Sequence, residues 1–192
     1  MAEGKNGNMH LGAPGTGAPL RVRPARGEDV PAILAVLEAA KGIMRATGNR
    51  HQWADGYPFE ADILRDIGRG GGYVVEVVDE GRIAGYFAML PSPEPTYARI
   101  EGGAWLEDAS PYLVIHRIGS LPDVHGVFRA LLDFALSRCP NIRIDTHRDN
   151  TVMQHLLEVN GFRYCGIIYL ASGDERLAYQ RCPAFPPYAI NG

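Results

Sequence analysis

Apolar positions in this chain recur at two periods, and the switches between them mark out its elements. Leu20 and Val22 alternate with Arg21 and Arg23, the pattern of a short strand over 20–24. Val30, Ile33, Leu34 and Leu37 then recur at helical spacing. Glu28 and Asp29 precede them, Pro31 suits a first turn, and Gly48 and Asn49 close the stretch. After the aromatic-bearing segment NRHQWADGYP, a second helix is expected over 59–67, stopped by the run GRGGG. Tyr73 to Val78 and Arg82 to Leu90 are β-branched-rich runs either side of Asp79-Glu80-Gly81, which predicts a hairpin with a three-residue turn. Residues 91–111 are irregular and rich in Pro and Gly, either a functional loop or a disordered flap.

The most ordered pattern follows. An apolar strand from Leu113 to Ile118 meets a turn, Gly119 to Gly126, that opens directly into an apolar-periodic helix. Ile142 to Thr146 reads as the next strand. Asp149 or Asn150 then caps a helix whose Met153, Leu156 and Leu157 are spaced for a core and whose Gly161 suits the position just past its end. Two further strands, Arg163 to Leu170 and Glu175 to Cys182, complete the order β-α-α-β-β-β-α-β-α-β-β. That order predicts an α/β protein with a mixed, mostly antiparallel sheet of about seven strands and helices on both faces.

Composition narrows the function classes. At 192 residues, with 46% apolar and 21% charged positions, the chain supports one globular domain. That domain is expected over 20–182, after a disordered segment 1–19 and before a surface tail 183–192. A net charge of −3 leaves no basic excess for a nucleic acid. No apolar run approaches the ~18 residues of a membrane span, and the N-terminus lacks the apolar stretch of a signal peptide. Three cysteines (Cys139, Cys165, Cys182) without metal-ligand spacing imply a reducing cytoplasmic compartment and no metal site.

The strand–turn–helix at 113–136 leaves unpaired N–H groups at a helix N-terminus, a ready anion site. His116 lies on the preceding strand, where strict alternation puts it on one face with Ile118 and Ser120. With an ordinary pKa near 6.5 it can accept a proton from an amine whose pKa is about 10.4, or it can be a core histidine bonded to a carbonyl. His147 either points into the same cleft or lies solvated in its loop. Trp53 and Tyr57 could wall an acceptor pocket, or Trp53 could close the core.

The run YLVIHRIGSLPDVHGVFRALLDFALSRCPNIRIDTHRDNTVMQHLLEVNGF resembles the acyl-CoA core of the GNAT superfamily of N-acyltransferases. The resemblance implies a sheet splayed between its fourth and fifth strands and an acetyl-CoA cosubstrate. Its pyrophosphate would be held by the backbone of Val124, His125, Gly126, Val127, Phe128 and Arg129. Ile118, Ser120 and Asn150 would hold the pantetheine arm, and His116 would be the catalytic base. The superfamily's Arg/Gln-x-x-Gly-x-Gly/Ala pattern is matched only at Gly126. Asp123 stands for its first residue and Phe128 for its last, and Leu157 stands where many members carry a tyrosine acid, for which Tyr164 is a weak substitute. The implied activity is N-acetylation of a small-molecule or peptide amine by direct attack within a ternary complex. The rival reading is a non-catalytic acyl-CoA sensor, or an interaction domain with Phe128 filling the groove. Edge strands within 163–182 could pair in a homodimer.

Overall fold

A computed structural model describes residues 18–53 and 56–184. The expected disordered lead-in lies outside the described residues except for its last two positions, and so does the expected tail beyond residue 184. Strands β1 (Leu20–Pro24), β2 (Gly72–Val77), β3 (Arg82–Pro91), β4 (Leu113–Ser120), β5 (Ile142–Thr146), β6 (Arg163–Tyr169) and β7 (Glu175–Arg181) form one seven-stranded sheet in the order β1-β2-β3-β4-β5-β7-β6. All neighbours run antiparallel except β4 and β5. Helices α1 (Val30–Ala46), α2 (Glu60–Gly68), α3 (Val127–Leu136) and α4 (Thr151–Val159) flank it. The mixed α/β architecture is thus the expected one, with element limits within a residue or two. Because β7 sits between β5 and β6, only β6 of the last pair is an edge, which corrects the expectation that both could pair with another copy.

The alternation of strand residues builds two cores. Val75, Phe87, Ile115, Ile142 and Ile144 face α3 and α4, where Leu131, Leu132, Ala135 and Leu157 cover them. Val74 and Tyr86 point the other way, under Ile33, Val36 and Leu37 of α1 and Ile63 of α2. Helices α1 and α2 reach only the first half of that second face. Over the second half lies the segment 92–112, whose Tyr97 packs with Val114, Ile168 and Ala178. The irregular run is therefore an ordered cover.

What orders it is a buried cation. Arg143 of β5, 1% exposed, lies between the rings of Trp105 and Tyr112 at 4.0 and 3.7 Å. It donates to the Asp108 carboxylate at 2.7 Å and to the Glu107 carbonyl at 2.8 Å. A buried guanidinium is tolerated only with such partners. Gln180 of β7 adds a second tie, accepting from Leu106 N–H and donating to the Glu107 carbonyl.

Two irregularities in β4 position the site. First, β4 and β5 pair only through Leu113–Ile142 and Val114–Arg143, after which the strands part. From Ile115 onward the β5-facing edge of β4 is open. Second, the β3–β4 register slips by one residue between Ala88–His116 and Tyr86–Gly119, so that Arg117 and Ile118 oppose one residue of β3. Arg117 sits at φ +53° in this bulge. The extra residue breaks the strict alternation assumed from the sequence: Ile118 packs into the α3-side core, whereas His116 meets Tyr97 under the cover segment. His116 and Ile118 therefore do not share a face.

Candidate functional site

Where β4 and β5 part, a cavity of about 340 Å³ opens, at the small end of ligand pockets. Its floor is Ile115 to Ile118 of β4 and Ile144 and Asp145 of β5. The loop after α1 supplies His51, Gln52, Trp53 and Tyr57, and the β6–β7 connection supplies Leu170, Ser172 and Asp174. An apolar groove of about 100 Å³ runs past the end of β4, from Ile118, Gly119 and Ser120 to Val127 and Phe128 of α3 and Val152, Met153 and Leu156 of α4.

His116 lies between two carboxylates. Its Nδ1 is 3.6 Å from Asp145 Oδ1 and its Nε2 is 3.7 Å from Glu94 Oε2, ionic contacts rather than hydrogen bonds. The Tyr97 hydroxyl donates to the same Asp145 oxygen at 2.7 Å, and Glu94 is steadied by Thr96 Oγ1 at 3.0 Å. Burial by itself would lower the imidazole pKa, but Asp145 and Glu94 outweigh it and carry the group up to about 9. His116 is therefore an imidazolium at neutral pH, not a histidine poised near 6.5. His116 in turn holds the Glu94 carboxyl below its ordinary range; Asp145 also lies low, because its partners outweigh the burial that would raise it.

Beside it the bulge is pinned by a buried network. Arg117 grips the Asp66 carboxylate with Nε and Nη2, and Nη1 donates to the Tyr57 hydroxyl at 2.9 Å. Tyr86, fully buried, donates to Asp66 at 2.8 Å. Tyr57 lines the cavity, with its hydroxyl committed to Arg117. Trp53 both lines the cavity and packs on the α1 core.

The remaining expected residues divide. Gly126 takes φ +84° as the residue capping α3, a conformation that favours glycine, and the first N–H groups of α3 have no helical acceptor. Val124 is half-buried against the α3-side core, His125 is exposed, and Arg129 is exposed and paired with Asp133. Phe128 is partly buried and forms a wall of the groove rather than a plug. Asp123 is exposed and paired at 3.0 Å with Arg82, which also holds Glu80. Leu157 is wholly buried, and Tyr164 is 50% exposed against Tyr179. His147 stands a step back from the cavity, its ring 6.2 Å from that of His51 and its Nδ1 accepting from the Asp149 N–H. Burial and the nearby Arg176 hold it below the usual histidine range.

Asn150 caps α4 by accepting from Met153 N–H, and its amide donates to Gln52 Oε1 at 2.8 Å. Gln52 Oε1 also takes the amide of Asn49 at 2.9 Å. This one side chain ties the loop after α1 to the β5–α4 junction. Gln52→Ala should lower stability by about 1–3 kcal/mol, the cost of leaving buried amides unpartnered, read as a lower urea midpoint at unchanged slope. An unchanged midpoint would show that water replaces Gln52.

Glu94, Tyr97, Asp145, Arg117 and Gln52 were not singled out in the sequence. Only Asp145 carried a signal: in IRIDT, Arg143 and Asp145 alternate with the core isoleucines, so two charges occupy one face of a central strand. Glu94 arrives from a Pro-rich segment that has no period.

The sheet is thus opened between a parallel strand pair, with a helix N-terminus at one end of the gap and an ionisable cluster at the other. No protein-family model matches the chain, and neither does any curated protein sequence. Among solved structures, an acetyltransferase of the GNAT family from Streptococcus agalactiae 2603 is 34% identical. The match covers 85% of this chain and 95% of that one with a TM-score of 0.76. GNAT-family acetyltransferases from Listeria monocytogenes 4b F2365 (20% identity, 84% and 94% covered, TM-score 0.61) and Bacillus cereus ATCC 10987 (20%, 85% and 97%, 0.57) share the fold. The chain belongs to the GNAT family of acetyltransferases. Acetyl transfer is its general activity. No helix among the described residues is long and apolar enough to cross a membrane.

Proposed function

We propose that this chain N-acetylates a small primary amine, using acetyl-CoA, by direct attack within a ternary complex. The observation that carries the reading is the parting of β4 and β5 beyond Val114, which leaves the β4 edge open between the His116 cluster and the amide end of α3. Acetyl-CoA, when bound, supplies an acetyl thioester whose thiol, with a pKa near 8.5, leaves without a dedicated acid.

The residues present fit that cosubstrate. The α3 N-terminus, opened by Gly126, offers main-chain N–H groups and the positive end of a helix dipole to a diphosphate. A Cβ at Gly126 would approach nothing closer than Leu20 Cδ1 at 3.7 Å, so the glycine serves its φ and an unobstructed approach. The backbone of Ile118 to Ser120 and the apolar groove behind it suit an amide-bearing arm. Asn150 supports that groove as the α4 cap, with both polar ends of its side chain engaged inside the protein. Direct attack is supported by the absence of cysteine from the cavity lining among the described residues. Burial raises the Cys165 thiol to about 11, and Cys182 is buried too.

On the acceptor side, the Asp145 and Glu94 carboxylates flanking His116 favour an ammonium there. Neutral His116 is then the base. Its partners make it a stronger base than free imidazole and a scarcer one, about 1% neutral at pH 7 for a pKa of 9.

Acetyl-CoA at 100 times its Kd should stabilise the protein by about 2.7 kcal/mol in a thermal-shift titration. Gly126→Ala should shrink that shift while costing about 1–2 kcal/mol in the free protein, the strain of a Cβ at this φ. No shift at millimolar acetyl-CoA would overturn the reading. A full shift in the variant would move the diphosphate away from α3.

A further inference from the structure

The inner face of the cavity holds a cation, Arg176, that feels the Asp145 charge but is in ion-pair contact with no carboxylate among the described residues. Arg176 of β7 is 7% exposed and lines the cavity, yet its one hydrogen bond is from Nη1 to the Glu175 carbonyl at 2.9 Å. Buried guanidinium groups need partners, and the other arginines that line or support this half of the sheet have them: Arg117 has Asp66, and Arg143 has Asp108. Among the described residues no carboxylate lies within ion-pair distance of Arg176. Nor are its free donors sealed inside the protein, since among the described residues the buried side-chain nitrogens and oxygens without partners belong to Asn49 and Arg143. They open onto the cavity.

The sheet register says what lies beside it. Asp145 of β5 pairs with Ala178 of β7, so Arg176, two residues earlier on β7, projects from the same face on the diagonal. Residues related this way are roughly 7–8 Å apart, their Cβ atoms somewhat closer. One wall thus presents Asp145 beside His116 and then, a few ångströms along it, a guanidinium fork. A ligand carrying an ammonium and a carboxylate separated by a short chain satisfies both ends. A planar fork also matches a carboxylate bidentately.

We propose that Arg176 binds the carboxylate of the acceptor, which makes the acceptor a free amino acid or a closely related small amino carboxylate rather than a simple amine or polyamine. This rests on the N-acetyltransferase reading above and specifies its substrate class. The opposite charge pattern lies at the mouth, where Asp174 is exposed and bonded to Ser172.

The test uses matched pairs: the common amino acids and the amines left when each loses its carboxyl group, assayed by thiol release from acetyl-CoA. The parent protein should prefer at least one amino acid over its matched amine by about tenfold or more in kcat/KM. Arg176→Gln should abolish that preference by lowering kcat/KM for the amino acid about 10- to 100-fold, mainly through KM. Its rate with the matched amine should fall less than its rate with the amino acid, and its thermal shift with acetyl-CoA should stay near the parent's. Arg176→Lys should recover part of the preference. A parent that favours the decarboxylated amines, or an Arg176→Gln loss equal for both members of each pair, would overturn the proposal and leave Arg176 structural. Should Arg176→Gln fail to fold, the parent's preference and the partial effect of Arg176→Lys decide alone. A thermal shift with acetyl-CoA but acetylation of amines only would overturn the Arg176 assignment and spare the function. Acetylation of neither class would overturn both.

Discussion

His116→Gln should lower kcat/KM about 10²- to 10⁴-fold near pH 8, the range expected when a positioned base is removed, and should change the shape of the pH profile. In the parent protein the amine's proton passes to an imidazole whose pKa is about 9, so kcat/KM should rise about tenfold per pH unit from 7 and level off near 9. Without that base the break should move toward the acceptor's own pKa, about 10.4 for a lysine-like amine. Glu94→Gln removes one of the two carboxylates that hold the imidazolium and should bring the parent's break down by about one pH unit. A parent profile that breaks near 6.5 would mean the carboxylates do not act on His116. An unchanged rate in His116→Gln would hand the proton to water. The same shift has a stability counterpart. The folded pKa lies above the unfolded value, so the stabilisation is complete below about pH 6.5 and is lost as pH rises through about 9. It is worth at most about 3 kcal/mol.

The order of elements was legible because each strand and helix keeps its period without interruption: Leu20 and Val22, then Val30 to Leu37, then the alternating runs of β2 and β3. The α3 entry was legible too, since only glycine sits easily at φ +84° and one stands directly before the apolar helix. The bulge was not. Bulges are often flagged by glycine, but here the positive φ belongs to Arg117, inside a run that reads as an unbroken strand. Missing it put His116 and Ile118 on one face. The alkaline pKa of His116 was equally hidden, because its cause lies on two other segments. Asp145 comes from the next strand and Glu94 from a Pro-rich cover with no pattern to place it. What local periodicity encodes, the sequence shows; what requires three distant segments to meet at one imidazole, it does not. Arg176 stands between these cases, a charge inside a strand of otherwise ordinary alternation, whose missing partner becomes visible only when β5, β6 and β7 are laid side by side.

Arg117→Ala should cost about 3–5 kcal/mol, a large share of the roughly 5–15 kcal/mol that holds a domain folded. The loss comes from what is left behind. Asp66 is 3% exposed, and its carboxylate is held by the Arg117 fork and the Tyr86 hydroxyl. Deleting the guanidinium leaves a buried negative charge with one neutral donor. Asp66→Asn added to Arg117→Ala should therefore recover part of the loss, since an amide can still accept from Tyr86 and carries no charge to strand. Arg117→Gly should be less damaging than Arg117→Ala by about 1 kcal/mol, because it removes the same ion pair but relieves a non-glycine residue at φ +53°. Urea midpoints at constant slope, followed by far-UV circular dichroism, measure all three differences. A single-variant loss below about 1 kcal/mol would mean water reaches Asp66 and replaces the arginine. A double variant no more stable than Arg117→Ala would show that lost packing, not stranded charge, is the cause. Activity should fall further than stability in any variant that stays folded. Tyr57 loses the donor that fixes its hydroxyl, and the bulge that turns His116 toward Asp145 and Glu94 loses its anchor. The buried pair thus acts on the cavity through the backbone of β4, and its removal should appear in kcat as well as in the midpoint.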